Sequence, residues 1–363
     1  MKKIIILLLS CFLFTGCYDY NELNNAAIVS GIAASYKNEK YNITFETIVT
    51  KKSESNSSDT KTMLVSSSGK TPAEAFDNTI ASVDKKAVFS HLKVVILDET
   101  IAKKGIKDLS NYLFRDIHIN NTFYYILAKN TEAKKIFETK VKNEPIVTNA
   151  LLDLFENQNS IEMLNLNNEF DTLYGRLKEN KEDIVIPSVS TNKKNISLET
   201  LGVFKKDKLK DYLTKDESKT YNLIKGKVSN LLLDDNNSAV TIYKNKCKMK
   251  TDKKNFTLNM SAEGIITSFD TDESLRNGKE NKILSKDFSK IIKKKINKLI
   301  QTSKDLDSDF LGIGLTYYKK YPNEYKKEIF KNLNYQVNVK AIVNRNGQSF
   351  EVIKWLQKDN IKY

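Results

Sequence analysis

Few side chains in this sequence have the type and spacing that catalysis or metal binding requires. The two histidines, His91 and His118, form neither the i, i+4 pair of a helical zinc site nor part of a Cys/His cluster. The chain has no Gly-x-Ser-x-Gly elbow and no Ser-x-x-Lys motif in a setting that would make its serine a nucleophile. Since lone histidines are usually structural, we interpret both as structural residues.

Two glycine-containing stretches resemble nucleotide-binding loops only in part. Gly69-Lys70-Thr71 matches the end of a phosphate-binding loop, but Leu64 stands where that motif needs its first glycine. Gly312-Ile313-Gly314 lacks the third glycine of a dinucleotide loop, and the following Leu315–Tyr318 predicts a strand rather than a helix start. Two acidic pairs lie in polar stretches that predict solvated turns: Asp234-Asp235 and Asp270/Asp272. The sequence therefore predicts no catalytic residue, no cofactor and no metal site.

The start of the chain has the pattern of a signal peptide. Two lysines precede an apolar run of eleven residues, Ile4–Phe14, and the small residues Thr15 and Gly16 follow it. A helix that spans a bilayer needs roughly 20 apolar residues, so this run is too short to be one. We therefore expect export of the chain and removal of residues 1–16.

Cys17 is the one residue for which the sequence predicts covalent chemistry. The stretch Phe14-Thr15-Gly16-Cys17 resembles a bacterial lipobox, in which the cysteine becomes the first mature residue and carries a diacylglyceryl thioether and an N-acyl chain. Phe14 departs from the usual leucine, although Leu13 lies next to it. The alternative is a plain signal peptide with an incidental cysteine. The lipobox predicts cleavage between Gly16 and Cys17 and attachment to membrane lipid.

The cysteine count agrees with a lipid anchor. Cys11 would leave with the signal peptide and Cys17 would carry lipid, so only Cys247 remains in the folded part. An exported protein without a disulfide framework indicates a bacterium with a single membrane. Cys247 is predicted to be an ordinary strand or turn residue.

The strong positive charge does not predict nucleic-acid binding. Lys and Arg number 59 against 45 Asp and Glu, which gives a net charge of +14. The excess is lysine spread along the chain, and only four arginines occur, whereas a nucleic-acid surface favours clustered arginine. The composition instead suits a position beside an anionic lipid surface.

The first half of the mature chain alternates predicted strands with predicted helices. Ala26–Tyr36 and Tyr41–Val49 predict a hairpin, the second strand from its period-two alternation. Thr71 as N-cap, Pro72 at N1 and Glu74 at N3 predict the start of a helix. Its apolar face is predicted from i, i+4, i+7 spacing to be Phe76, Ile80 and Val83.

Later segments continue this alternation. His91–Leu97 and Thr122–Ala128 predict strands on either side of a mainly helical stretch. Thr131–Leu177 is mainly helical, with a break at Pro145. Strands separated by helices predict an α/β region with parallel strand pairs.

The second half contains alternating strands and a long amphipathic helix. Phe256–Gly264 alternates as a strand, and Tyr335–Trp355 predicts a hairpin with its turn at Asn346-Gly347. The helix Ile283–Asp305 either packs on the neighbouring sheet with a solvated lysine face or lies on a membrane surface, and packing is the interpretation we favour. Its apolar residues are Phe288, Ile291, Ile292, Ile296, Leu299 and Ile300.

These patterns predict a multi-domain α/β protein, of the mixed α+β kind, with helices packed on mixed sheets after a lipoprotein signal peptide. Residues 1–16 are the signal peptide, and 17–190 form an N-terminal α/β region that divides further near 130–150. Residues 196–363 form a C-terminal α/β domain. The boundary is placed at Pro187 and the polar run that follows it.

The mature N-terminus and three later stretches resemble the Ger(x)C family of spore-germination lipoproteins. The family opens on Cys-Trp-Asp-x-x-Glu-Leu, and here Tyr18 replaces the tryptophan. The residues that match this opening are Cys17, Asp19, Glu22 and Leu23. The longest similar stretch, Ser66–Asp116, is similar to the family's Gly-x-Ser/Thr-x-x-Glu-Ala helix, Phe-Ser-His strand and Ala-Lys-x-Gly-Ile to Arg-Asp segment. "LGVFKKDKLKDYLTKDESKTYNLI" and "DFLGIGLTYYKKYPNEYKK" also fit, with Tyr325 where the family tends to have tryptophan.

This resemblance implies a protein without catalysis, built from several mixed α/β domains. It implies a lipid tether through Cys17 to the cell membrane, in spores the outer face of the inner membrane. The implied partners are the A-type multi-spanning subunit and the transporter-like B-type subunit of a nutrient germinant receptor. The main alternative is a solute-binding lipoprotein of a membrane transporter, which size, anchor and α/β content would also suit.

Overall fold

Two mixed β-sheets and ten α-helices make up the part of the chain that the computed structural model describes. This part comprises residues 26–51, 59–142, 144–156, 170–192, 194–225, 228, 230–235, 238–269 and 279–344. The predicted cleavage and lipidation residues Gly16 and Cys17, the pair Asp270/Asp272 and the turn at Asn346-Gly347 lie outside it.

The strands and helices are numbered in chain order. The strands are β1 (Ala26–Lys37), β2 (Lys40–Lys51), β3 (Asp59–Gly69), β4 (Lys86–Val88), β5 (Val94–Asp98), β6 (Tyr124–Ala128), β7 (Val185–Thr191), β8 (Ile196–Lys205), β9 (Lys208–Tyr212), β10 (Leu231–Asp235), β11 (Ser238–Thr251), β12 (Asn255–Phe269) and β13 (Asn334–Asn344). The helices are α1 (Pro72–Ile80), α2 (Glu99–Lys104), α3 (Lys107–Arg115), α4 (Ala133–Phe137), α5 (Val147–Glu156), α6 (Phe170–Glu179), α7 (Lys215–Lys225), α8 (Lys279–Asp305), α9 (Ile313–Lys320) and α10 (Ile329–Asn332).

The larger sheet is parallel at its centre and antiparallel on both sides. Its nine strands follow the order β3-β2-β1-β5-β6-β7-β8-β9, and β4 pairs with β1. The pairs β1/β5, β5/β6 and β6/β7 are parallel, whereas β1/β2, β2/β3, β7/β8 and β8/β9 are antiparallel. The predicted hairpin, the parallel strand pairs and the mixed α+β class are thereby confirmed.

Helices cover both faces of the larger sheet, which is why β1 is an almost continuous run of small and apolar buried residues. One core cluster lies beneath α1, α2, α3 and α6, and a second lies beneath α4 and α5. Gly31 on β1 allows the second layer to approach, because an added Cβ would lie 2.3 Å from Thr148 Oγ1 on α5. A buried carboxylate, Glu46 on β2, accepts the N–H groups of Val147 and Thr148 at 2.7 and 3.1 Å. It thus binds the first turn of α5 to the sheet.

Helix α1 begins as predicted but buries a different face. Thr71 accepts the N–H of Glu74 at 3.1 Å, while the Glu74 carboxylate accepts the N–H of Lys70 rather than that of the cap residue. The predicted apolar face is wrong at Ile80, which is 36% exposed and ends the helix, whereas Val83 packs on the core from beyond the end of the helix. The residues that α1 buries are Ala75, Phe76 and Thr79. The helix is too short for the i+7 position to lie on it.

The smaller sheet has the order β10-β11-β12-β13, and α8 packs against it. Strand β13 pairs with β12 in parallel, and the second strand of the predicted hairpin lies outside the described residues, so the hairpin stays a prediction. Ser285 and Ser289 on α8 accept the N–H groups of Val343 and Ala341 at 3.0 and 2.9 Å. Together with the burial of Phe288, Ile292, Ile296, Leu299 and Ile300, this confirms that α8 packs on a sheet. The helix also covers the sheet edge, where unpaired N–H groups would otherwise be open to other strands.

The larger sheet continues past the predicted domain boundary at 190–196. Strands β8 and β9 follow that boundary and complete the larger sheet. Val185, Leu201 and Val203, on β7 and β8, contribute to the core cluster that lies under the smaller sheet. The two halves therefore share apolar residues along these strands, and the domain limits stay a prediction.

The strand predicted after Gly312-Ile313-Gly314 is wrong, because these residues begin helix α9. Gly312 has φ +74°, which turns the chain into the helix, and the Asp309 carboxylate accepts the N–H groups of Ile313 and Gly314. Ile313 and Tyr317 are buried at i, i+4 spacing, a helical rather than a strand pattern. The apolar run that follows Gly314 therefore has the period of a helix and not that of the predicted strand.

We predict opposite effects of alanine at two glycines. Gly312→Ala should lower the free energy of unfolding by about 1–2 kcal/mol, because a left-handed backbone disfavours a side chain. Its Cβ would also lie 3.0 Å from the Glu182 carboxylate. Gly175→Ala, inside α6 with no atom within 4 Å of the added Cβ, should raise it by about 0.5–1 kcal/mol. Denaturant unfolding of the mature protein measures the free energy of unfolding of both variants. Equal changes in the two variants would contradict the left-handed backbone of Gly312 at the start of α9.

Candidate functional site

A polar cleft opens at the edge of the larger sheet where β1 and β5 end. Its volume is about 420 Å³. The cleft is lined by Ala33, Ala34, Ser35, Lys37, Asn42, Thr44, Ser66, Ser67, Ser68, Asp98, Glu132, Ala133 and Lys134. The antiparallel strand β2 joins β1 on one side and the parallel strand β5 on the other, so the cleft lies where strand direction changes. Sheets of this kind commonly bind ligands at the carboxyl ends of their parallel strands.

Hydroxyl, carboxylate and ammonium groups give the cleft its chemistry. Lys37 and Glu132 form an ion pair at 2.7 Å, and their mutual hydrogen bond raises the pKa of Lys37 and lowers that of Glu132. Asp98 is buried and accepts the N–H of Thr100 at 3.0 Å and that of Ala133 at 3.2 Å. The cleft thus presents both charges and several hydroxyls, which suits the binding of a small polar solute.

A charged junction, formed by Glu182, Asp183, Lys225 and Asp309, joins the two sheets. The Asp183 carboxylate accepts the N–H of Asp309 at 2.9 Å and that of Lys206 at 2.8 Å. The N–H of Asp183 donates to the carbonyl of Asp309 at 3.2 Å. Glu182 accepts a hydrogen bond from Lys225 Nζ at 2.6 Å. Glu182 and Asp183 are at most 9% exposed, so these bonds replace the water that each charge would otherwise need.

Asp309 is the most perturbed carboxyl group of the junction. Burial raises its pKa to about 8, and the neighbouring Glu182 and Asp183 act in the same direction. The N–H groups of Gly314 and Ile313 favour the charged form but do not outweigh burial. The junction therefore contains a carboxyl group that is protonated at neutral pH.

The histidines lie on the surface, away from both sites. His91 and His118 are exposed, and His118 Nδ1 lies 3.1 Å from the Asp116 carboxylate, which also accepts the His118 N–H. Neither lines the polar cleft or belongs to the charged junction. Asp234 and Asp235 lie in a strand rather than in the predicted turn, because they are the last two residues of β10 and pair with Ala239 and Ser238 of β11.

Cys247 is an ordinary strand residue, as predicted. It lies on β11 opposite Met260 and is partly buried. Burial raises the pKa of its thiol to about 11, so little reactive thiolate forms at neutral pH.

The described residues contain neither a metal-binding cluster nor a membrane-spanning helix. In that part of the chain, no group of three or more His, Cys, Asp or Glu side chains could hold a metal ion. None of the helices described is long and apolar enough to cross a membrane.

Sequence reasoning missed both the polar cleft and the charged junction. The cleft residues come from segments spread between Ala33 and Lys134, and no motif spacing connects them. For the junction a signal existed, because Asp309 and Gly312 lie in the stretch "DFLGIGLTYYKKYPNEYKK" noted for its resemblance. In that stretch the partial likeness of Gly312-Ile313-Gly314 to a dinucleotide loop obscured the helix cap.

The fold and these sites define a mixed α+β protein whose two sheets meet at a buried charged junction. Two family descriptions match successive parts of the chain: the spore germination protein N-terminal domain over residues 19–191, and the spore germination B3/GerAC-like C-terminal domain over residues 199–347. The chain therefore belongs to the GerAC family of spore germination proteins, which confirms the resemblance seen in the sequence. This is not a known enzyme family.

Known relatives match the chain over nearly its whole length. Spore germination protein KC of Bacillus subtilis is 25% identical, and the match covers 98% of each chain. Spore germination protein GerQC of Bacillus cereus is also 25% identical, over 96% of this chain and 99% of the relative. The crystal structure of the GerBC protein, 17% identical, covers 90% of this chain and 99% of its own with a TM-score of 0.51, and so shares its fold.

We predict that protonated Asp309 makes stability depend on pH. The pKa of Asp309 is about 8 in the folded protein, against an ordinary value of 3.8. Between these pH values the folded protein keeps a proton that the unfolded chain loses. The contribution of Asp309 to the unfolding free energy is therefore full below pH 3.8 and is lost as the pH rises towards 8. The unfolding free energy of wild type should therefore fall between these pH values relative to Asp309→Asn. At low pH the variant should be less stable by about 1–2 kcal/mol, because an amide accepts only one of the two N–H bonds well.

Denaturant unfolding of the mature protein at several pH values measures this difference. Asp305→Asn is the control, since Asp305 is an exposed carboxylate at the end of α8. A constant difference between wild type and Asp309→Asn across the range would contradict protonation of Asp309.

Proposed function

We propose that this protein is the lipid-anchored C subunit of a spore nutrient germinant receptor. The observation that carries the proposal is the match of both family domains to successive parts of one chain, and the resemblance of Phe14–Cys17 to a lipobox supports it. In this proposal Cys17 carries the lipid and holds the protein at the outer face of the spore's inner membrane. A role in spore germination follows from the family itself.

The protein acts in this proposal by assembling or stabilising the receptor rather than by catalysis. Its partners are the A-type and B-type integral membrane subunits. Support comes from the buried junction between the two sheets, because its polar groups are occupied in packing. Co-purification of both subunits from spore membranes through a tagged version tests the partnership directly.

We predict that Cys17 decides where the protein is held. A diacylglyceryl group buries two acyl chains at about 0.8 kcal/mol for each CH₂, whereas each lysine near an anionic surface contributes about 1 kcal/mol that salt removes. Wild type should stay with membranes through a high-salt wash. Cys17→Ala should keep its signal peptide or be released, and germination should fall.

Membrane fractionation at low and high salt, with the intact mass of the N-terminal peptide, makes this measurement. Cys247→Ser is the control, since that partly buried thiol should affect neither fractionation nor germination. A wild-type N-terminal peptide free of lipid, or normal processing and germination of Cys17→Ala, would exclude the lipid anchor.

The polar cleft favours one alternative, a solute-binding lipoprotein of a transporter. A solute bound there at a hundredfold excess over its dissociation constant would stabilise the mature protein by about 2.7 kcal/mol. For a subunit that acts in assembly, we predict no such stabilisation by single amino acids or sugars. Thermal unfolding with each solute tests this. The control is Lys40→Met, at an exposed lysine that does not line the cleft. A stabilisation that is lost in Lys37→Met but kept in Lys40→Met would contradict a function limited to assembly and would favour the solute-binding alternative.

A further inference from the structure

The parallel strands of the larger sheet all begin at one edge, which we call the amino edge. The N–H of Lys93, just before β5, donates to the carbonyl of Ser30 on β1 at 2.9 Å. The N–H of Tyr124, the first residue of β6, donates to the carbonyl of Lys93 at 2.9 Å. Strand β1 begins at Ala26, four residues before Ser30 and so about 13 Å further out. The described chain therefore enters the fold at the amino edge.

Two large apolar side chains are exposed beside this edge. Helix α3 ends at Arg115, and the turn that follows leads into β6, so this turn lies where β6 begins. Ile117 in the turn is 90% exposed and Phe114 is 44% exposed. No other described large apolar residue is as exposed as Ile117.

The surrounding structure holds both side chains in place. The Phe114 ring stacks on Tyr174 with a centroid distance of 4.2 Å. Asp116 accepts the N–H of His118 at 3.0 Å and so fixes the turn around Ile117. Ile119, two residues on, is buried in the core. The exposure of Ile117 is therefore built into the fold rather than the result of a loose loop.

Exposed basic residues lie at this edge together with acidic ones. Arg115 and Lys93 are exposed, and Lys86 pairs with Ala26 through β4. The acidic residues there include Asp84, before β4, Asp116, whose carboxylate binds the turn, and the exposed Asp171, which follows Phe170, whose N–H donates to the carbonyl of Phe123 just before β6. Exposed apolar side chains among basic residues suit the interface of an anionic bilayer, where the apolar groups enter the acyl boundary and the cations meet phosphate.

The length of the N-terminal chain limits how far this edge can lie from the membrane. Only eight residues lie between Cys17 and Ala26, and nine residue steps of fully extended chain span at most about 30 Å. An anchor on Cys17 therefore keeps the amino edge close to the lipid surface, whereas other parts of the protein are not held in this way.

We propose that the amino edge rests on the anionic membrane, with Ile117 and Phe114 inserted at its interface and Arg115 and Lys93 at the headgroups. This rests on the proposed lipid anchor at Cys17. The orientation has a consequence for the polar cleft, which lies at the opposite edge. Ser35 is about 30 Å along β1 from Ala26, so the cleft faces away from the bilayer.

The test uses the full chain, processed and lipidated, in vesicles of phosphatidylglycerol and phosphatidylcholine. A fluorophore is attached at Ile117→Cys in a Cys247→Ser background. The matched control is Lys103→Cys, whose side chain is 62% exposed on α2, one turn past Asp98 at the opposite edge. Fluorescence quenching is measured with nitroxide lipids and, separately, with aqueous iodide. The mass of the N-terminal peptide is measured on the same sample.

The Ile117 probe should be quenched several-fold more by nitroxide lipid than the Lys103 probe, and several-fold less by iodide. Lipidated Cys17 with an Ile117 probe open to iodide would overturn the orientation alone. Protection of that probe from iodide without quenching by lipid would mean that protein covers the turn, and would also overturn it. A Cys17 peptide without lipid would overturn the anchor and the orientation together.

Discussion

The relative position of the two halves depends on the need to pair buried charge. Asp183 lies just before β7 of the larger sheet, and Asp309 lies just before helix α9. The Asp183 carboxylate accepts the N–H of Asp309, and the Asp309 carbonyl accepts the N–H of Asp183. A buried carboxylate without such partners would cost several kcal/mol of folding free energy. Ser308 Oγ adds a hydrogen bond to the carbonyl of Phe204 at 2.6 Å. Because the apolar residues of β7 and β8 belong to the core of the second half, packing and charge pairing fix one arrangement.

A second consequence of the sheet order is that its two edges differ in chemistry. The carboxyl ends of β1 and β5 bring Lys37, Asp98 and Glu132 to one cleft, which is polar and carries both charges. The amino edge presents the exposed apolar residues Ile117 and Phe114, with the exposed basic residues Arg115 and Lys93 beside them. Strand β1 extends from one edge to the other. A tether at its start would therefore orient both edges relative to the membrane. Orientation on a membrane would then follow from topology, without a spanning helix.

Family membership and structure together favour a role in assembly. The chain shares both domains with spore germination proteins over nearly its whole length. Its most perturbed carboxyl group, Asp309, caps a helix in a packed interface and does not face the cleft. Perturbed pKa values often mark catalytic sites, but structural networks of buried charge produce them as well. Here the cause is structural, because burial in the packed interface raises the pKa of Asp309, while the backbone N–H groups of α9 act in the opposite direction.

The sequence by itself determined the signal-peptide and lipobox patterns, the family, the alternating strands and helices and the amphipathic helix α8, because these depend on local spacing. It did not determine that β13 pairs in parallel with β12, since register and partner depend on contacts far apart in the chain. The same apolar run after Gly314 fits two periods, and only Asp309 and the left-handed Gly312 select the helix. The cleft and the charged junction likewise arose only when folding brought distant polar residues together, because burial, which makes a charge seek a partner, is a property of the tertiary structure.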